Sequence, residues 1–393
     1  MGRDKAPAGQ RFLAAVVGRF GLLFALCMLP VAELPAEESG CLPGDTLGPA
    51  LTDSLATRDE HPGKKENIFV RFFRNFNDYD STYIEPQYYN YAFMVQNTTS
   101  FQSYRLLARD QAGNRQSISM RPAPTLKVGP YFGWRWIFLG YTLDVAHLSS
   151  PGSKSEFNLS LYSAMLGLDF VYMKNKGDFR LLNTEGFEGV GDKDFRGTHF
   201  DGMETLTASI SGYYVFNHRR FSYPAAFSQS TVQRKSCGSW ILGLRYDHQR
   251  LNFDHTQLPP ALTGQPGNEK IMDEMKWQKI DYYAYSVSGG YAYNWVFARN
   301  WLLGVSVMPA IGYKRTKGER LRGDELFVSI KNLNFDCISR LGLVWNNTRW
   351  FAGLSLVSHL YTYTEKRLTL TNGVNFLNLY VGLNFNKKKQ YRH

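Results

Sequence analysis

The 393-residue sequence contains no CxxC pair, no HExxH, no GxSxG, no phosphate-cradling glycine loop and no Rossmann glycine pattern. Enzyme classes that rest on those signatures therefore find no anchor in it. Cysteine is scarce, with four residues scattered at Cys27, Cys41, Cys237 and Cys337, too few for a disulfide framework or a zinc site. A run of ~20 apolar residues, the minimum for a spanning helix, is also missing, because FGLLFALCMLPVA falls short of it. No motif recurs at a spacing of roughly 20 to 50 residues, which excludes solenoids and propellers. The net charge of +11 is not gathered into a basic stripe interleaved with aromatics, so nucleic acid is not an expected partner. On an exported protein such charge meets anionic outer-membrane lipid headgroups or phosphorylated lipopolysaccharide.

What the chain does have is aromatic residues and glycine. Aromatics make up 15% of it, with 24 Tyr, 27 Phe and 35 Gly, a composition that favours pleated sheet with many turns. In FLNLYVGLNFN, residues 376 to 386, Leu377, Leu379, Val381, Leu383 and Phe385 alternate with Asn378, Tyr380, Gly382 and Asn384. A strand sends alternate side chains to opposite faces, so this one has an oily face and a wet face. The pattern recurs over 88–97, 101–109, 115–134, 136–148, 156–174, 205–216, 237–252, 280–297, 300–316, 326–345, 349–364 and 367–386. A slip of phase between Leu161 and Ala164 reads as a β-bulge. Tryptophan decides what the oily face touches. Trp134, Trp136, Trp295, Trp301, Trp345 and Trp350 flank tight turns and Trp240 opens a strand, which suits the headgroup level of a membrane better than a soluble core.

These observations predict an all-β fold, a single transmembrane antiparallel β-barrel of about 12 strands with a short periplasmic N-terminal helix. Residues 1–36 read as a signal peptide, with Arg3, Lys5, Arg11 and Arg19 ahead of the apolar run. Residues 37–87 form a periplasmic segment in which Phe69, Phe72, Phe73 and Phe76 stand at helical spacing. The barrel occupies 88–386 and a basic tail 387–393. The expected location is the outer membrane of a Gram-negative bacterium.

Strand parity places Lys127, Asp144, Asp169, Arg245, Asp247, Arg340 and His359 on the inner face, where mixed charges form a structural network or line a pore. Ser355 and His359 stand four residues apart on one strand, ~13 Å, too far for a nucleophile and its base to meet. In the loop 185–204, Asp192, Asp194 and Gly197 imitate a calcium loop, but Arg196 and Met203 replace required ligands. No catalytic residue, metal or cofactor is expected. The polar insert from Phe216 to Lys235 is anomalous for the turn side of a barrel, and Pro224 cannot donate to a ladder. Its His218, Arg219, Arg220, Gln233, Arg234 and Lys235 are read as a structural loop at the periplasmic rim, with a lumen plug or a docking site for a periplasmic partner as the alternative.

Three stretches, NDYDSTYIEPQYYNYAFMVQN (77–97), YYVFNHRRFSYPAAFSQSTVQRKSCGSW (213–240) and the C-terminal FLNLYVGLNF, together resemble an exported Gram-negative family. The family is catalogued as domain of unknown function four-four-two-one. The resemblance covers roughly residues 66 to 386. It implies a barrel-like outer-membrane protein and carries over no catalytic residue. Such chains often end on an aromatic residue that resembles a signal for the barrel-insertion machinery, whereas here NKKKQYRH follows Phe385. The function expected is non-enzymatic passage or binding of a small solute. The alternatives are a lipid- or glycan-acting surface enzyme and an architectural barrel that docks a periplasmic partner.

Overall fold

The computed structural model describes residues 79–134, 154–265, 268–316 and 332–392, and the backbone alone at 137–140 and 143–144. The expected signal peptide and the amphipathic helix around Phe69 to Phe76 lie outside the described residues. Strand signals dominate the remainder. The main strands are β1 (Tyr89–Arg109), β2 (Arg115–Pro122), β3 (Thr125–Trp134), β4 (Lys154–Tyr162), β5 (Leu166–Lys176), β6 (Phe179–Glu185) and β7 (Met203–Val215). They continue as β8 (Cys237–Phe253), β9 (Lys279–Ala298), β10 (Trp301–Thr316), β11 (Leu333–Asn346), β12 (Trp350–Glu365) and β13 (Leu368–Lys387). Two short helices interrupt them, α1 (Tyr223–Phe227) and α2 (Pro260–Thr263).

All the main strands join one antiparallel sheet in the order β6, β2, β1, β13, β12, β11, β10, β9, β8, β7, β5, β4. On one edge β1 meets two strands in succession, β3 along residues 91–100 and β2 along residues 104–109. The backbones of Ile137–Gly140 and Leu143–Asp144 then pair with β3. Among the described residues no ladder joins β4 to that edge, so the sheet is not closed by backbone bonds there. Side chains span the gap: Glu156 of β4 accepts from Ser100 at 2.7 Å and Thr125 at 3.0 Å and pairs with Lys127 at 3.1 Å. The sheet is strongly curled, because Arg340 of β11 grips Asp169 of β5, five ladders away along the sheet.

The two faces are inverted relative to a water-soluble sheet. Outward positions carry Trp240 at 66%, Leu244 at 65% and Phe335 at 66% exposure, while inward Ser306 is at 0% and Arg340 at 2%. Of the opening stretch, Leu379 and Val381 are exposed whereas Tyr380 and Asn384 are buried. Nothing in the described chain covers the oily face. Water-soluble monomers rarely expose contiguous apolar patches beyond a few hundred Å², so this face is built for a non-aqueous neighbour.

Several expectations are corrected. The stretches 88–97 and 101–109 are one strand, β1, because nothing between them breaks the extended backbone. The slip near Leu161 is a turn, not a bulge: Ser163 N–H donates to Leu166 at 2.9 Å, the Ser163 hydroxyl bonds the same carbonyl at 2.6 Å, and β4 and β5 form a hairpin around it. A bulge and a three-residue turn shift strand parity alike, so parity alone does not separate them. The stretch 115–134 divides at Ala123 and Pro124 into β2, whose other edge pairs with β6, and β3, whose other edge pairs with the backbone of Ile137–Gly140. A short strand Ile84–Pro86, absent from the expectations, pairs with Thr231–Gln233.

Turn and loop ends differ as the sequence implies. At one end lie the tight turns at 299–300 and 347–349, with Asn300 and Thr348 at positive φ. Asn347 accepts from the N–H of Trp350 at 2.7 Å, an Asx turn that aims the chain back. At the other end, 186–202 and 254–278 are long excursions, while Phe179–Glu185, expected inside a loop, is a strand of the sheet. These two excursions carry Phe187, Phe200, Leu258, Leu262 and Met275 inward against Leu106, Ile118, Phe179, Leu251 and Tyr282, a continuous apolar cluster over the loop end. Gln116 ties the second excursion to β2, donating to the carbonyl of Lys270 at 2.6 Å and accepting from Met272 N–H at 2.8 Å.

Candidate functional site

Among the described residues the inner face concentrates buried polar side chains, and three layers pack along it. Nearest the turn end is the insert. Ser222 caps α1, its hydroxyl accepting from Ala225 N–H at 3.2 Å, and Pro224 fits the first turn because its missing donor is not needed there. Five residues make only one turn, so the helix is held by its surroundings more than by its own ladder. Tyr223 donates to Ser306 at 3.0 Å and accepts from Arg340 at 3.2 Å. Asn294 donates to the Ser222 carbonyl at 2.7 Å, and Gln229 donates to the Tyr380 hydroxyl. Ala225 and Ala226 settle against Leu302 and Val344, and Gly304 leaves the room: a Cβ there would stand 2.6 Å from that of Ala226.

Gln233 organises the insert. Its Nε2 donates to the carbonyls of Arg220 at 2.7 Å and Lys235 at 3.0 Å, and its Oε1 accepts from Ser222 N–H at 2.8 Å. Of the six residues expected at a rim or plug, Gln233 and His218 are buried, whereas Arg219, Arg220, Arg234 and Lys235 are exposed. Residues 221–233 therefore pack largely against the inner face, and their charged flanks stay exposed. The flanks grip the strap ahead of β1: Arg234 pairs with Glu85, and Arg220 and Lys235 stand over the Tyr83 ring at 5.3 and 5.4 Å.

The middle layer is ionic. Arg340 pairs with Asp169 and lies 5.2 Å from the Tyr213 ring centre. Arg245 bonds Asp247 at 2.8 Å and also pairs with Asp336, whose second oxygen accepts from Thr362 N–H at 2.9 Å. His359 is buried at 2% exposure, parallel to Tyr361 with ring centres 6.1 Å apart. Asp169, Arg245, Asp247, Arg340 and His359 are all buried on the inner face. Lys127 is apart from them at the gap beside β4, and Asp144 is described only by its backbone pairing with Lys127. Ser355 accepts from Asn378 at 3.2 Å, four residues along the strand from His359. The third layer is the apolar cluster at the loop end described above.

Sequence reading missed Asp336, Tyr223 and Gln229. Asp336 shares the parity of Arg340 on β11 and was findable from that; the other two sit on α1 and just after it, where no periodicity runs long enough to give a signal. The loop around Asp192 folds on itself, with Asp194 accepting from Gly191 N–H at 2.7 Å, and no metal-holding group occurs among the described residues. A cavity of about 10 Å³ beside Ser100, Thr125 and Glu156 takes no more than a water molecule.

No curated protein matches the chain. Among solved structures, it is similar to the Escherichia coli outer membrane protease OmpT at 6% identity and a TM-score of 0.35, covering 75% of this chain and 97% of that one. The Pseudomonas putida toluene transporter TodX matches at 11% identity and a TM-score of 0.18, covering 76% and 91%. The β domain of the Bordetella autotransporter BrkA matches at 13% identity and 0.21, covering 73% and 98%. Residues 78–385, most of the chain, match the family described as Domain of unknown function (DUF4421), and the chain belongs to that family.

Proposed function

We propose that the protein is a non-enzymatic outer-membrane β-barrel, sealed at rest, that acts as an architectural element with its exposed rim segments turned to a periplasmic partner. The observation that carries this reading is the filled inner face. A plug, a buried ionic layer and an apolar cap follow one another along the same axis, so passage demands that all three move. The uncovered apolar face supports the membrane placement, and the tryptophans at the turn end support its depth. About ten residues separate Trp295 from Tyr285 on β9, and at ~3.3 Å each with a tilt near 40° they cover roughly 25 Å of hydrocarbon.

Planar-bilayer recording of the purified full chain tests the reading. The expected result is no steady current, and an ohmic current from the intact protein would overturn it. A partner is sought by pull-down with segments 37–87 and 217–236 as bait.

Passage of a small solute is the second reading, and one observation favours it: α1 rests on the small floor of Gly304 and Gly342 and is tied to the wall through side chains alone. A variant lacking residues 222–236 that conducts where the full chain is silent supports gated passage. Silence of both ends it.

A further inference from the structure

The geometry points to a docking site for phosphorylated lipopolysaccharide on the outward face of β5, β7, β8, β9 and β10, at their loop ends. Four cross-strand rows define it. Phe170, Ile210, Tyr246, Tyr285 and Tyr313 are consecutive partners across the five strands, an apolar and aromatic row. One step toward the loops, Tyr172, Ala208, His248, Tyr283 and Arg315 form the next. Beyond it lie Lys174, Leu206, Arg250 and Asp281, and then Lys176, Glu204, Asn252 and Lys279. Outward rows are two residues, ~7 Å, apart along a strand, so the surface passes from oil to aromatic to cation over roughly 20 Å.

That order matches a glycolipid standing in the outer leaflet, acyl chains on the apolar row and phosphates on the cations. Five cations face two carboxylates in these rows. Arg250 bonds Asp281 at 3.0 Å and Lys279 stands 3.8 Å from it, but Lys174, Lys176 and Arg315 are exposed and make no ion pair among the described residues. His248 takes the remaining oxygen of Asp281 at 2.8 Å and lies parallel to Tyr283 with ring centres 4.4 Å apart, which holds the carboxylate flat against the wall and leaves the cations projecting. Spaced cations beside a hydrocarbon-facing band complement a phosphorylated headgroup in both charge and depth.

The inference rests on the outer-membrane placement proposed above. The test uses the full chain in neutral phosphatidylcholine vesicles. Binding of phosphorylated lipopolysaccharide is titrated against the same lipopolysaccharide after enzymatic dephosphorylation and against inorganic phosphate. The expected result is tight binding of the phosphorylated form, and a loss on the order of 100-fold in the triple variant Lys174→Ala, Lys279→Ala, Arg315→Ala. Equal binding of both lipopolysaccharides overturns the proposal, as does displacement by millimolar phosphate alone, which would mark a free-anion site. Failure of the wild type to insert into the neutral vesicles at all would instead sink the membrane placement. Should the triple variant not fold, ionic strength replaces it: affinity that falls steeply with salt supports the site, and affinity indifferent to salt overturns it.

Discussion

Arg340 shows how single residues set the interior. Its side chain is fully buried, paired with Asp169 and bonded to the Tyr223 hydroxyl, so removing it leaves an uncompensated carboxylate among aromatic rings. Arg340→Met should cost about 3–5 kcal/mol, while Arg340→Met combined with Asp169→Leu should recover most of that, read as the urea midpoint of heat-modifiable gel migration. Recovery would show that the pair supplies orientation more than net stability. Gly304 makes the complementary prediction. Gly304→Val should force α1 off the wall and expose Tyr223 and Phe227 to chymotrypsin, which should leave the wild type intact at those sites. The charged residues of the inner face were legible from parity, because a strand offers two faces and only one was oily. Their partners were not: Asp169 and Arg340 are 171 positions apart, and the pairing depends on how far the sheet curls.

Elements were legible in proportion to their length. Long strands such as β9 and β13 repeat their period enough times to declare both faces, whereas α1 is a single turn whose only sequence marks are Ser222 and Pro224. Ser222→Ala should remove the cap and weaken the plug by about 1 kcal/mol. The effect should appear as faster chymotryptic cleavage near Phe227 with unchanged heat-modifiable migration of the barrel. The loop-end excursions make a pH prediction. The Thr256 hydroxyl, with help from Gln257 and the Thr256 N–H, holds the Asp254 carboxyl below its ordinary range. A depressed carboxylate contributes stability above its unfolded pKa and loses it as pH falls through the folded value. Corrected amide exchange at Thr256 and Gln257 should therefore stay constant from neutral pH down to about pH 5 and quicken below about pH 4. Exchange that quickens already above pH 5 would contradict this assignment.

At the scale of the whole molecule, the inside-out distribution of side chains was the most legible property, since the alternation in FLNLYVGLNFN and the tryptophans at strand ends both announce it. The packing of the inner face was not, because the insert, the loop-end cluster and the ion pairs meet only after the strands have curled. The purified protein should require detergent, run as a faster band before heating than after, and fractionate with outer membranes. Recovery as a detergent-free monomer would contradict the membrane placement.

The pairing of β1 with β13 has a consequence for biogenesis. The first long strand finds the partner along one of its two edges only in the last long strand, Leu368–Lys387, from Tyr89 against Lys387 to Ala108 against Leu368. Until those residues have been delivered, the edges of β1 and β12 that β13 covers stay open, each a template for mispairing. A nonsense change anywhere before Leu368 therefore leaves not a shorter sheet but two separate pieces of one, which quality-control proteases should clear.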